Sequence, residues 1–311
     1  MNALHYPRWG GPEALEPTTL PAPTAGPGQL RVKVHTISVN PIDWKVMSGH
    51  YRLVIPISLP GIPCFDICGT VDQLGEGVSD FAVGDRVFVR EPSRPGGGAR
   101  ELATIDASVT VKVPEGISEA WCAAVPLAGM TALQALSRLG GLEPGRRVLI
   151  VGASGGVGHL AVQLASNAGA QVTGVCSARN AAFVSGLGAS EVIDYTQRDD
   201  LGGPYDLIVD CVGSPWPKLR SALTGDGSVA LIAPTPALLA RIPLLYLTSR
   251  RRMVAVMMKP NRADLQFLAD EMAAGRLRVN VEHVFSGLSA LPDAMARSIA
   301  GRVRGKLVVQ L

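Results

Sequence analysis

Alternating apolar and polar positions indicate β-structure in the first third of the chain. Residues 30–37 alternate between apolar and polar, which is typical of a strand with one buried face. Further short strands are predicted at 69–75 and 86–89, bounded by turns such as Val83-Gly84-Asp85. Many short strands with glycine turns predict a small β domain of the barrel or sandwich type.

From residue 118 the pattern changes to helical spacing and then to alternating strands and helices. Helices are predicted over 118–124 and 131–139, and a later one over 263–274. Strands joined by crossovers form a doubly wound parallel sheet. The predicted strands of this sheet are residues 148–151, 171–176, 191–195, 207–211, 228–232 and 253–258.

The last residues, 306–311, form an apolar strand that lies outside this alternation. We expect it to return to the N-terminal β domain. The doubly wound segment is then an insertion: residues 1–123 plus 261–311 form one domain, and residues 124–260 form the other.

Composition narrows the class of protein. The 311 residues are 47% hydrophobic and 18% charged, with a formal charge of +3, which favours neither nucleic acid nor an anionic membrane as partner. The five cysteines are scattered and odd in number, which is typical of a reducing compartment. No apolar leader is seen, and the apolar segment 237–247 is short and interrupted by Arg241, so a cytoplasmic location is expected.

A glycine-rich turn follows the strand predicted at 148–151. Its sequence, Gly152-Ala-Ser-Gly155-Gly156-Val-Gly158, is a variant of the dinucleotide-binding fingerprint. Gly152 would form the turn, Gly155 and Gly156 would let a pyrophosphate approach the backbone, and Gly158 would allow close packing of helix on strand. The strand before it and the helix after it give the context that this motif requires.

The end of the next strand, 171–176, bears on the choice between NAD and NADP. NAD sites usually place a carboxylate there for the ribose hydroxyls, whereas this chain has Ser177 and Arg179. A hydroxyl and a guanidinium suit a 2′-phosphate, which favours NADPH. Tyr195 could add a hydroxyl to the same pocket, and Val212 follows the fourth strand, where the nicotinamide half is expected.

Taken together, these motifs resemble the zinc-free, quinone oxidoreductase type of medium-chain dehydrogenase/reductase. The resemblance runs through the whole chain. The motifs are specific for the family, but they do not identify the substrate. The matching pieces are Val39-Asn40-Pro41-x-Asp43, Asp66-x-x-Gly69-x-Val71, Phe81-x-x-Gly84-Asp85-x-Val87, the segment 124–133 with Thr131-Ala132, Ala153-Ser154-Gly155-Gly156-Val157-Gly158, Leu187-Gly188-Ala189, Asp206-x-x-x-Asp210-x-Val212-Gly213 and Arg304-Gly305-Lys306.

The resemblance implies an α/β fold in which a doubly wound parallel Rossmann domain is inserted in a mainly β, GroES-like catalytic domain. It also implies NADPH bound between the domains and a homodimer joined along the strand 253–258. The residues that it places at the cofactor are Asn40, Thr131, Ser154, Gly155, Gly156, Val157, Ser177, Arg179, Tyr195 and Val212.

The same resemblance argues against a metal. Related zinc alcohol dehydrogenases have cysteine where this chain has Asn40, and Gly-His-Glu where it has Cys64-Phe65-Asp66. Zinc sites use thiolate and imidazole ligands, which are lost at both places. Cys64 also departs from the usual glycine of the family; a small buried thiol is the preferred interpretation, and a reactive thiol is the alternative.

Without a Lewis acid, the expected chemistry is hydride transfer from NADPH to a quinone or to an alkene conjugated to a carbonyl. Tyr51 is the candidate proton donor, because similar zinc-free enoyl thioester reductases carry a tyrosine there; water could instead supply the proton. Asn40 is a candidate for binding the substrate or the cofactor amide. His159 is expected at the surface. Two alternatives stay open: a 2-enoyl thioester reductase, and a non-catalytic protein that binds NADPH for sensing.

Overall fold

The computed structural model describes residues 1–52, 58–91, 97–140, 142–234 and 252–311. The chain separates into two compact units. We call the first, Met1–Leu127 with Pro260–Gly275 and Val279–Leu311, the β unit. We call the second, Ala128–Lys259 with Arg276–Arg278, the α/β unit.

The β unit begins with a small antiparallel pair of strands that the hydropathy pattern does not reveal. Strands β1 (Asn2–His5) and β2 (Glu16–Thr19) pair with each other in a separate sheet. The following elements are β3 (Gln29–Val39), α1 (Pro41–Met47), β4 (Asp66–Leu74), β5 (Arg86–Arg90), β6 (Leu102–Asp106), β7 (Val111–Lys112) and α2 (Glu119–Ala124). Strand β3 is the longest, and its inward residues Leu30, Val32 and Val34 are buried in the core of this unit.

The α/β unit contains the predicted doubly wound sheet. Its six strands are all parallel and lie in the order β10-β9-β8-β11-β12-β13. Strands β9 and β10 follow on one side of β8 and strands β11 to β13 on the other, so the strand order reverses between β8 and β11. Helix α3 (Pro126–Ser137) enters this unit from its third residue on. The other elements are β8 (Arg147–Val151), α4 (Gly158–Asn167), β9 (Gln171–Cys176), α5 (Ala181–Gly186), β10 (Glu191–Asp194), β11 (Tyr205–Asp210), α6 (Trp216–Ser221), β12 (Leu223–Leu231) and β13 (Arg252–Ala255).

The strand predictions for this sheet agree with the structure to within two residues at each end, except at its β12–β13 edge. Strand β12 begins five residues earlier than predicted, at Leu223. Strand β13 ends at Ala255, so residues 256–258 are not part of the strand. Central strands such as β8 are buried on both faces, which explains their unbroken apolar sequence.

The chain returns to the β unit with α7 (Arg262–Ala273), β14 (Val281–Ser286), α8 (Leu291–Ile299) and β15 (Lys306–Gln310). Strand β15 pairs antiparallel with β3, from Leu307 opposite Val39 to Gln310 opposite Thr36. The prediction that the last strand joins the N-terminal β domain is therefore confirmed. The main sheet of this unit has the order β14-β15-β3-β4-β5-β7, with β6 also pairing with β3.

A three-residue segment between α7 and β14 belongs to the α/β unit instead. The Gln163 side chain of α4 donates to the carbonyl of Arg278 at 2.8 Å and accepts from its backbone N–H at 2.8 Å. Asn167, one turn later, donates to the carbonyl of Arg276 at 2.7 Å. Two amide side chains on one helix thus fix this segment.

Candidate functional site

The glycine turn between β8 and α4 is held tightly against β9. Gly152 has φ +80°, the left-handed region that favours glycine. The backbone N–H groups of Gly152 and Ala153 both donate to the carbonyl of Val175, at 3.1 and 2.9 Å. The turn is therefore a rigid extension of the sheet.

Glycine is required where the helix meets this turn. A Cβ at Gly158 would lie 2.2 Å from the carbonyl oxygen of Gly152, which is far too close. At Gly155 the nearest atom would be the same oxygen at 3.4 Å, so that position has room. Within the described residues, no acceptor receives the backbone N–H groups of Gly156 and Val157. Uncommitted N–H groups at a helix N-terminus fit the pyrophosphate of a dinucleotide.

Asn180 is a site residue that the sequence analysis missed. Its side chain is buried and donates to Ser154 Oγ at 3.1 Å, which orients the hydroxyl of the glycine turn. Its backbone N–H donates to the carbonyl of Ser177 at 2.8 Å, in the turn that also carries Arg179. Ser177 is half-buried and Arg179 is exposed. Asn180 thus connects two predicted cofactor segments.

A carboxylate approaches this turn from the neighbouring strand. Asp194, at the end of β10, accepts from the backbone N–H and hydroxyl of Thr196 at 3.0 and 2.8 Å. These bonds lower the pKa of Asp194, and a hydrogen bond from the backbone of Ala178 lowers it further. The end of β9 carries no acid, but the end of β10 brings one to the same turn. The turn that carries Arg179 therefore also receives a carboxylate, at the backbone of Ala178.

The remaining predicted cofactor residues of the α/β unit differ in exposure. Tyr195 and Val212 are 53% and 61% exposed, whereas Thr131 on α3 is buried. Val212 lies in a loop that the buried Asp210 shapes, since this carboxylate accepts from the N–H groups of Val212 and Ser214 at 3.3 and 2.7 Å.

The expectation that His159 lies at the surface is wrong. His159 is 0% exposed, and its Nδ1 lies 2.9 Å from the carbonyl oxygen of Gly155. Because a carbonyl only accepts, Nδ1 carries the proton in this contact. The imidazole therefore fastens the first turn of α4 to the glycine turn.

Asn40 lies in the β unit, at the junction of β3 and α1. Its backbone N–H donates to Asp43 Oδ2 at 2.6 Å, and Asp43 N–H donates to the Asn40 carbonyl at 3.0 Å. Its side chain, 2% exposed, donates from Nδ2 to Asp66 Oδ2 at 2.9 Å and to Ser38 Oγ at 3.2 Å. Asn40 Oδ1 accepts from the ammonium of Lys306 on β15. Both ends of this amide are thus bonded inside the unit.

Burial dominates the electrostatics of this group, which we call the Asn40 cluster: Ser38, Asn40, Asp43, Asp66 and Lys306. Burial raises the pKa of Asp66, and the charge of Lys306 opposes that rise. Burial lowers the pKa of Lys306, while the two carboxylates favour its charged form. The pKa of Asp43 is raised to about 7, again mainly by burial. The cluster holds one buried cation against two buried acids.

Tyr51 follows α1 in a turn and is half-buried. Its ring makes an edge-on contact with His50, with ring centroids 6.3 Å apart. The next described residue after Arg52 is Ser58, so the surroundings of Tyr51 on that side lie outside the described residues.

Cys64 is fully buried, and burial raises the pKa of its thiol. Its φ is +70°, in the left-handed region that favours glycine. In the described part of the chain, no group of three or more His, Cys, Asp or Glu side chains could hold a metal ion.

No described helix is long and apolar enough to cross a membrane, and residues 237–247 lie outside the described residues.

Comparisons with known proteins agree along the whole chain. Residues 26–115 match the alcohol dehydrogenase GroES-like domain, and residues 187–309 match a zinc-binding dehydrogenase model. The chloroplast envelope quinone oxidoreductase homolog of Arabidopsis thaliana is 37% identical over 324 residues, which cover 100% of this chain and 98% of that protein.

Solved structures give the same result. The quinone oxidoreductase from Coxiella burnetii superposes with a TM-score of 0.89 at 30% identity, covering 100% of this chain and 99% of that one. A mycobacterial protein solved in complex with NADPH has a TM-score of 0.86 at 27% identity, with 100% of both chains covered.

Proposed function

Because the chain belongs to the medium-chain dehydrogenase/reductase family, among the quinone oxidoreductases, we propose that it is an NADPH-dependent, zinc-independent reductase of quinones or α,β-unsaturated carbonyls. In this proposal residues 124–260 bind the cofactor, and residues 1–123 plus 261–311 form the catalytic domain. The observation that carries the proposal is the glycine turn. Only glycine fits at position 158, and no acceptor in the described part of the chain receives the N–H groups of Gly156 and Val157.

The proposed cofactor-binding residues act through distinct groups. Gly155, Gly156 and Val157 supply backbone N–H groups and Ser154 a hydroxyl for the pyrophosphate. Ser177 and Arg179, with the Tyr195 hydroxyl, would hold the 2′-phosphate, and the Asp194 carboxylate opposes this preference. Thr131, Val212 and Asn40 complete the proposed set. The cofactor supplies the hydride. The protein positions the cofactor against the acceptor and excludes water during the transfer.

NADPH in place of NADH is supported by the Ser177–Arg179 pair and by the mycobacterial neighbour solved with NADPH. The direct check is to measure dissociation constants of both cofactors by fluorescence. Equal affinities would reject the preference while leaving the nicotinamide site intact.

Zinc independence is supported by the contacts of Asn40 and Asp66. These two side chains hydrogen-bond to each other at 2.9 Å, and Lys306 donates to Asn40 while its charge acts on Asp66. A bound cation would have to displace a buried ammonium from the same group. Metal analysis of the purified protein, with activity measured after chelation, tests this proposal; loss of activity that zinc restores would overturn it.

Protonation of the product is assigned to Tyr51, with water as the alternative donor. Tyr51→Phe removes the phenolic proton and keeps the ring. If Tyr51 is the donor, enone turnover falls while NADPH affinity is unchanged. Tyr195→Phe is the matched control, since it removes a phenol from the proposed cofactor side and should alter NADPH affinity instead.

The acceptor panel decides between the three functions that the sequence leaves open. NADPH oxidation is followed with ortho- and para-quinones, simple enones and 2-enoyl thioesters. Turnover of quinones or enones supports the proposal, and turnover of thioesters alone favours the enoyl thioester reductase. Tight NADPH binding with no turnover of any acceptor identifies a non-catalytic binding protein.

A homodimer through β13 is also proposed. Strand β13 pairs with β12 along one edge, and among the described residues no strand pairs with its other edge. An unpaired edge strand can add a strand from a second copy. Sedimentation should give twice the chain mass of 32.5 kDa, and a monomer mass would reject the dimer.

The cytoplasm remains the proposed compartment. All five cysteines are free thiols, and four of them are buried, in agreement with a reducing environment. The Arabidopsis relative is named for the chloroplast envelope, so a fractionation experiment on the native source is the appropriate test.

A further inference from the structure

Asn180 stands at the start of α5, yet its side chain does not cap that helix. Asparagine is among the preferred residues at a helix N-cap, where its Oδ1 accepts from a backbone N–H of the first turn. In this chain Nδ2 instead donates to Ser154 Oγ at 3.1 Å. The amide is thus committed to the glycine turn, 26 residues earlier in the chain.

Both ends of this contact are anchored to β9 and the residue that follows it. Asn180 is 7% exposed, and burying an amide costs free energy unless it is hydrogen-bonded. Its backbone N–H donates to the carbonyl of Ser177, directly after β9, at 2.8 Å. Ser154 follows Ala153, whose backbone N–H donates to the carbonyl of Val175 on β9 at 2.9 Å. The backbones therefore hold the amide and the hydroxyl in register.

The direction of the hydrogen bond determines the direction of the Ser154 proton. A hydroxyl has one proton to donate and two lone pairs that accept. Because Asn180 Nδ2 is a donor, it occupies one lone pair of Ser154 Oγ, and the O–H bond points away from Asn180. Ser154 is half-buried and directly precedes Gly155, Gly156 and Val157. Its proton is thus available to a ligand at the glycine turn.

We propose that Asn180 is a positioning residue for the cofactor pyrophosphate and acts through the Ser154 hydroxyl. This inference rests on the proposed function, in which the glycine turn binds NADPH. Pyrophosphate oxygens at neutral pH only accept hydrogen bonds, so they attract the proton of Ser154 and repel its lone pairs. The bond from Asn180 favours the hydroxyl rotamer whose proton faces the ligand, and it polarises that hydroxyl as a donor.

This role differs from the one proposed for Ser177 and Arg179, which concerns the 2′-phosphate. The pyrophosphate is common to NADPH and NADH, whereas the 2′-phosphate is present only in NADPH. Loss of the Asn180 side chain should therefore weaken binding of both cofactors by the same factor. Loss of the Arg179 side chain should instead change the preference between them.

The test is a double-mutant cycle on Asn180 and Ser154, with dissociation constants of NADPH and NADH measured by fluorescence titration. We expect Ser154→Ala to weaken binding of both cofactors about tenfold, because a charge-assisted hydrogen bond is lost. Asn180→Ala should weaken binding of both about three- to tenfold. In the Ser154→Ala background, Asn180→Ala should change affinity by less than about twofold, because no hydroxyl is left to orient.

A ligand without a pyrophosphate separates this role from a merely structural one. Adenosine 2′-monophosphate carries the 2′-phosphate alone, and its affinity is measured by competition with NADPH. Wild type and Asn180→Ala should bind it equally. A loss of affinity for this ligand, or a change in the ratio of the NADPH and NADH dissociation constants, would show that Asn180 acts by shaping the Ser177 turn and would overturn the proposal.

Asn167→Ala is the matched control, because it also removes an amide that donates to a carbonyl of the α/β unit, that of Arg276 at 2.7 Å. It should leave both dissociation constants unchanged. An effect on cofactor binding equal to that of Asn180→Ala would overturn the proposal, because loss of any buried or surface amide bond would then suffice.

Asn180→Asp provides the test if Asn180→Ala does not fold, because a carboxyl group has the shape of the amide. The carboxylate accepts the Ser154 proton and so turns it away from the ligand. Asn180→Asp should therefore weaken binding of both cofactors more in the wild-type background than in the Ser154→Ala background, where only the added charge acts. Equal effects in the two backgrounds would overturn the proposal.

The outcomes distinguish this inference from the proposed function. Tight binding of NADPH by wild type, with no effect of Asn180→Ala or with the same effect in the presence and absence of the Ser154 hydroxyl, overturns only the role of Asn180. If the wild-type protein binds neither NADPH nor NADH, the proposed function fails and the role of Asn180 fails with it.

Discussion

The ammonium of Lys306, on the last strand, donates a hydrogen bond to Oδ1 of Asn40. Asn40 lies 266 residues earlier in the chain. Asn40 in turn donates to Asp66, and Asp66 Oδ1 accepts from the backbone N–H of Leu127 at 3.1 Å. One buried cation thus belongs to a polar group drawn from β3, α1, β4 and β15. This arrangement makes the C-terminal strand part of the Asn40 site.

Lys306→Met should destabilise the protein strongly. The charge of Lys306 favours the ionised form of the buried Asp66. Removing that cation leaves the buried carboxylate uncompensated, which costs about 3–5 kcal/mol. Lys112→Met is the control, because that lysine is 53% exposed and pairs with Asp85 at the surface, where a loss below about 1 kcal/mol is expected. Urea unfolding compares the two; equal losses would contradict the account.

Asp43 should give stability an unusual dependence on pH. Its folded pKa of about 7 lies above the ordinary value, so the folded state binds more protons than the unfolded state between about pH 4 and about pH 7. The contribution of Asp43 to the free energy of unfolding therefore falls as pH rises through this window, by at most about 1.4 kcal/mol per pH unit. The difference between wild type and Asp43→Asn isolates this term; a difference independent of pH would reject it.

Gly158→Ala should damage both folding and cofactor binding. The new Cβ would lie 2.2 Å from the Gly152 carbonyl, and overpacking of this kind costs about 1–3 kcal/mol. Gly186→Ala in α5 is the control, because nothing lies within 4 Å of its Cβ position. We expect that change to be neutral or stabilising by up to about 1 kcal/mol. Thermal unfolding and NADPH titration of both variants provide the measurements; similar behaviour would contradict the close-packing argument.

The sheet of the α/β unit could be predicted because its strands are short apolar runs separated by helical spacing. The pairing of β15 could be predicted because residues 306–311 had no place in that alternation. Strands β1 and β2 were missed because their four-residue lengths carry little periodicity. Strand β14 was missed because none of its six residues is buried.

The candidate site could be predicted only where its residues lie close together in the sequence. The glycine turn is local, so its sequence was sufficient. The hydrogen bond from Lys306 to Asn40 joins residues 266 positions apart and depends on how β15 pairs with β3. No local sequence pattern predicts it. His159 was predicted wrongly because the sequence does not show that its ring bonds back to Gly155, four residues earlier.

Cofactor preference should respond to charge on either side of the Ser177 turn. Arg179→Ala should lower the ratio of kcat/KM for NADPH over NADH about tenfold or more, because a charge-assisted bond to the 2′-phosphate is lost. Asp194→Asn should raise the same ratio about two- to fivefold, since it removes an anion from that turn. Arg220→Ala, an exposed arginine on α6, is the control and should leave the ratio unchanged. Parallel effects of Arg179→Ala on both cofactors would reject the proposed phosphate contact.

Hydride transfer from NADPH to a quinone without zinc is the central proposal. The most direct measurement is NADPH oxidation by chelator-treated protein on addition of a para-quinone, followed by absorbance. We predict one equivalent of NADPH consumed for each quinone reduced by two electrons, at a rate that added zinc does not change. Absence of quinone-dependent NADPH oxidation, or oxidation that appears only when zinc is restored, would contradict the account.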